Sequence, residues 1–80
     1  AGIEPLAVRT YLAERAGVAG VHDLHIWSIS TTETALMVHL VMPNGHPGDA
    51  FLAQIYHELH ANFGIEHATI QIELGDSGQP

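Results

Sequence analysis

Val21-His22-Asp23-Leu24-His25-Ile26-Trp27-Ser28-Ile29 is the stretch that decides the fold of this 80-residue chain. Apolar and polar positions partly alternate along it, as in a β-strand with two different faces. It sets two histidines and an aspartate beside the only tryptophan. Histidine and aspartate are metal-ligand types. The rest of the chain is read for what it supplies to this strand.

A second apolar run, Thr34-Ala35-Leu36-Met37-Val38-His39-Leu40-Val41-Met42, predicts a strand over about 34–42. It is nearly all apolar, so it belongs in the middle of a sheet, covered on both faces. Thr31-Thr32-Glu33 between the two runs is short enough for a hairpin. A third strand, about 66–74, alternates Ala68, Ile70, Ile72 and Leu74 with His67, Thr69, Gln71 and Glu73.

Two helices complete the order. Glu4-Pro5 opens one over about 5–15, with Leu6, Val8, Tyr11 and Leu12 as its buried side and Gly17 as its C-terminal cap. Asp49 reads as the N-cap of the other, about 49–63. Leu52, Ile55, Tyr56, Leu59 and Phe63 form its apolar stripe, and Gly64 ends it. Pro43 to Gly48 is a turn-rich loop. The order is α-β-β-α-β. This predicts an α+β, open-faced sandwich with a three-stranded sheet and two helices on one face. One domain spans 1–80, with an ordered core over about 5–74 and a tail at 75–80.

Helices on one face leave the other bare. Asp23, His25, Trp27, Met37, His39, Val41, Thr69, Gln71 and Glu73 fall there by strand parity. Such a mixed apolar and polar patch marks a dimer or docking face, with Trp27, Met37, Val41 and Gln71 as its contact residues.

Composition narrows the chemistry. Two basic residues face nine acidic ones, a net charge of −7 with histidine neutral. Nucleic acid and anionic membrane surfaces are poor partners for such a chain, and cations are good ones. The seven histidines make its charge strongly dependent on pH between about 5 and 8. There is no cysteine, so disulfides, thiolate zinc sites and thiol catalysis are excluded. A chain this short buries only about 60–65% of its unfolded surface, and a metal or a partner chain would help stabilise it. No apolar run approaches the roughly 18 residues of a membrane span, and no stretch of these 80 residues reads as a signal peptide.

His39, inside an apolar strand, is either a histidine satisfied by hydrogen bonds or a metal ligand. Glu73, with His22 or Asp23, can lie near it at strand ends, a common kind of zinc set. In an ideal strand His22 is out of phase with Asp23 and His25, so parity favours the latter two. A bulge after Gly20 would bring His22 round. His57 and His60, three apart on a helix, can touch one ion but read more simply as solvated. His46 in its loop and His67 at a strand start read as surface residues, with ligation as the alternative. Catalysis finds little support. No G-x-S-x-G, phosphate loop or H-E-x-x-H occurs, and His57-Glu58-Leu59-His60 is one residue short of the last. A triad of His25, Asp23 and Ser28 fails because Ser28 points to the other face.

Gly17 to Ser28, Met37-Val38-His39-Leu40 and Phe63 to Glu73 together resemble the C-terminal cytoplasmic domain of cation diffusion facilitator transporters. The Val21-His22-Asp23-Leu24-His25-Ile26-Trp27-Ser28 run is the most specific part, and is most similar to the zinc-transporting branch. The resemblance covers about 8–74. It implies a metallochaperone-like fold and a homodimer on the cytoplasmic face of a membrane. It also implies attachment to a transmembrane domain that exchanges metal for protons. By position, it implies His22, His39 and Glu73 as ligands for zinc, and hence a bulge near 20–23; imidazole and carboxylate equally accept cadmium, cobalt or iron(II). The rival reading is a soluble open-faced sandwich that binds a metal or a small molecule and has no link to transport.

Overall fold

The structure is a computed structural model and describes residues 3–75. Five elements follow in the predicted order: α1 (Pro5–Ala13), β1 (Gly20–Ser28), β2 (Thr34–Val41), α2 (Asp49–Phe63) and β3 (His67–Glu73). β2 is central, antiparallel to β1 and parallel to β3. A hairpin joins β1 to β2, closed by Ile29 N–H donating to the Glu33 carbonyl at 2.9 Å. The parallel pair needs a longer crossover, which α2 supplies.

Both helices lie on one face of the sheet. Val8 and Leu12 of α1, Ile55 and Leu59 of α2, and Leu36, Val38 and Leu40 of β2 form one buried cluster with Met42 and Ile65. Alternate β2 residues share a face, so Leu36, Val38 and Leu40 point together into this core. The β3 residues paired with them, Ala68, Ile70 and Ile72, line its edge. The predicted α+β sandwich is therefore the observed one. β2 is central as expected, but its second face is only partly covered, with Met37 38% exposed.

Several local expectations are corrected. Leu6, assigned to the buried side of α1, is 68% exposed. The helix is only nine residues long, and Val8, Tyr11 and Leu12 already use the face toward the sheet. Tyr56 is half-exposed on the edge of the α2 stripe. Gly48, at φ 97°, takes the N-cap position of α2, and Asp49 lies in the first turn, where its charge still favours the helix dipole. α1 is capped by Glu14 rather than Gly17. Gly64 caps α2 in a left-handed conformation, as expected. Leu74 lies past the end of β3 and is exposed. Residues 76–80 of the expected tail lie outside the described residues.

The helices are also latched to each other by a polar contact. Tyr11 Oη donates a hydrogen bond to Glu58 Oε1, and Gln54 Nε2 donates to Glu58 Oε2 at 2.6 Å. Arg15 stacks 4.2 Å above the Tyr11 ring and donates to the Tyr11 carbonyl. Burial pushes the Tyr11 phenol well above its ordinary value, and the bond to Glu58 and that group's charge add to the shift. The Tyr11 bond, then the Gln54 bond, holds the Glu58 carboxyl below the usual range.

Candidate metal centre on the open sheet face

The face of the sheet away from the helices is organised by one irregularity. β1 and β2 pair His22 with His39 and His25 with Met37, so two residues of β1 oppose one of β2. This is a β-bulge, which lets a strand change phase. Gly20, His22, His25 and Trp27 pair with Val41, His39, Met37 and Ala35, and all eight share the open face. The parity objection to His22 falls at the bulge. Asp23, at its centre, has φ 54°, the one positive φ among the described residues other than glycine.

The side chains gather around His39, whose side chain is 21% exposed. Its Nδ1 lies 2.6 Å from Glu73 Oε2, a hydrogen bond between neighbouring strands. Asp23 Oδ2 lies 3.5 Å from the same nitrogen. Glu73 is reached diagonally, since it pairs with Val41 while His39 pairs with Gln71. The His22 ring folds back along the strand. A Cβ placed on Gly20 would stand 3.6 Å from His22 Nε2. A glycine at 20 thus leaves the floor beneath that ring open.

The donor set fits a divalent transition metal in kind, with imidazole and carboxylate ligands. In position it fits with one adjustment. Donors on a tetrahedral zinc stand about 3.3 Å apart, given bonds of about 2.0–2.2 Å. The Asp23 to His39 separation already has that size, whereas Glu73 is closer, because its contact is a hydrogen bond. A metal would take the place of that bond's proton and spread the pair. No three His, Asp or Glu residues among the described ones converge closely enough to form a finished site.

The other candidates lie apart from this cluster. His25 is on the open face, exposed beyond the bulge. His46 Nδ1 accepts the Gly48 N–H at 3.0 Å. His57 is exposed on α2. His60 faces Glu66 at 3.9 Å, and His67 faces Glu33 at 3.4 Å. The four expected contact residues all fall on the open face, with Trp27 47% exposed. The expected bulge is present, slightly further along than Gly20 to Asp23, between His22 and His25; what sequence reasoning did not give was the left-handed backbone of Asp23 at its centre. The one available signal was the tolerance of aspartate for left-handed backbone.

Comparison with known proteins agrees with this architecture. The family model described as the cytoplasmic domain of the cation efflux protein matches residues 3–74. Zinc transporter ttm-1 of Caenorhabditis elegans is 38% identical over 69 residues, covering 86% of this chain and 17% of the relative. The probable proton-coupled zinc antiporter SLC30A3 of Bos taurus is 35% identical over 66 residues, covering 82% of this chain and 17% of the relative. The chain thus spans about a sixth of the length of these relatives. Among solved structures, the metal-bound C-terminal domain of the CzcD transporter from Cuprividus metallidurans superposes with a TM-score of 0.79 at 32% identity. That match covers 90% of this chain and all of the other. No helix of the described residues is long and apolar enough to cross a membrane. The relatives are transporters rather than enzymes, and this chain belongs to the cation efflux protein family, matching its cytoplasmic domain.

Proposed function

We propose that this domain senses a divalent metal, most fittingly zinc, and dimerises in response, as the regulatory part of a proton-coupled efflux transporter. The observation that supports the reading is the bulge that sets His22 on the open face with His39, beside the His39 to Glu73 hydrogen bond. His22, His39 and Glu73 would hold the ion, which supplies positive charge where the chain has a net −7. His39 and Glu73 already orient each other across β2 and β3.

The physical mechanism is electrostatic. Two acidic domains repel when apposed. An ion held on the open face lowers that repulsion and pins the strands beside Trp27, Met37, Val41 and Gln71, which would then meet a second copy. A ligand shifts such an equilibrium only through its preference for one state. The attached transmembrane domain is the partner that would read the change. The relatives, a zinc transporter and a probable proton-coupled zinc antiporter, favour zinc and proton exchange.

Calorimetric zinc titration of the metal-free domain, with His22→Ala, His39→Ala and Glu73→Ala, tests the site. Binding lost in all three is the expected result. Binding that survives all three would move the metal elsewhere and end this reading.

A further inference from the structure

We propose that Asp23 is a fourth metal ligand, delivered by the β-bulge, so that one subunit alone closes the coordination shell. The inference rests on the metal-site reading above and adds the coordination number and a ligand to it.

In a regular strand His22 and Asp23 would point to opposite faces. Here His22 keeps its pairing with His39, and Asp23 turns through a left-handed backbone. Its carboxylate swings round to 3.5 Å from His39 Nδ1. A left-handed residue other than glycine is strained, and such strain clusters where function requires it. Two carboxylates then face one ring nitrogen. Glu73 takes the hydrogen bond at 2.6 Å, and Asp23 stands beyond hydrogen-bonding distance from the same atom. One imidazole carries at most a single positive charge, so the pair is short of one cation. Two neutral histidines, an aspartate and a glutamate balance a divalent ion fully. Without Asp23 the set would carry a net positive charge and leave a coordination position open to water. Closed four-ligand sites are the structural kind, and open ones the catalytic kind. A closed site suits an ion that holds strands in place.

Asn also tolerates left-handed backbone, so Asp23→Asn keeps the bulge and removes the charge. A metal-free thermal melt of this variant checks that the fold is retained. Zinc calorimetry and the visible absorption of bound cobalt(II) are then measured for wild type, Asp23→Asn and His39→Ala. Wild type is expected to give the intense bands of tetrahedral cobalt. Asp23→Asn is expected to bind zinc about tenfold more weakly or worse, the size of loss that follows even from removing an outer-shell partner. Its cobalt bands should weaken toward those of higher coordination. His39→Ala should not bind. An Asp23→Asn variant with wild-type affinity and bands, beside a dead His39→Ala, would overturn the fourth ligand and leave the three-residue site standing. Wild-type binding in His39→Ala, or none in wild type, would overturn both.

Discussion

Gly20 is the position at which fold and metal binding can be separated. A Cβ added there meets Val41 Cγ2 at 3.5 Å and His22 Nε2 at 3.6 Å. Both are ordinary contacts, so Gly20→Ala fits without strain. Reducing the freedom of the unfolded chain should stabilise it by about 0.4–1 kcal/mol. Gly20→Val extends the side chain by γ-methyls about 1.5 Å further out. With neighbours on two sides, one methyl has to turn toward one of them. Val41 is held in the central strand, so the exposed His22 ring is the group that moves. A β-branched residue suits a strand, and the fold should hold. The metal would lose a donor, and zinc affinity should fall about tenfold, equivalent to about 1.4 kcal/mol. Metal-free melts and zinc calorimetry on the three proteins measure both quantities. Full zinc affinity in a folded Gly20→Val variant would refute the placing of the His22 ring over residue 20.

The latch between the helices predicts a pH dependence. Glu58 has a depressed folded pKa, so its contribution is present above its ordinary value of 4.5 and is lost as pH falls through the folded pKa. Tyr11 has a raised one, so its contribution is complete below its ordinary value of 10.0 and is lost at more alkaline pH. Tyr11→Phe should therefore lower Tm by a constant amount across neutral pH, and the gap from wild type should shrink toward pH 3; an undiminished gap in acid would count against the latch. Leu40→Ala, at a fully buried position of β2, should cost about 2–5 kcal/mol in a urea melt. That is a large part of the stability of so small a domain, and a loss under about 1 kcal/mol would contradict the packing described. Replacing both His57 and His60 with alanine should leave zinc affinity unchanged by calorimetry, since neither approaches His39.

How much of this could be read from sequence follows from which signals are local. α2 was legible because Leu52, Ile55, Leu59 and Phe63 repeat at helical spacing and Gly64 ends the run. β3 was legible because Ala68, Ile70 and Ile72 alternate with polar residues. The helix edges were less so. Leu6 and Tyr56 are apolar and fit the periodicity, yet a short helix and a three-stranded sheet have too little surface to cover them. The Tyr11 to Glu58 bond joins residues 47 apart in the chain and leaves no pattern in either helix. At the site, alternation spoke against His22, while the family pattern spoke for it. A bulge breaks alternation without marking it in the residue types, and the left-handed Asp23 is what reconciled the two.

Small-angle scattering of the domain with zinc and with chelator, on wild type and on Glu73→Ala, addresses metal-driven closure most directly. The expected result is a more compact dimer for zinc-loaded wild type and no zinc-dependent change for the variant. Superimposable wild-type profiles with and without zinc would contradict it.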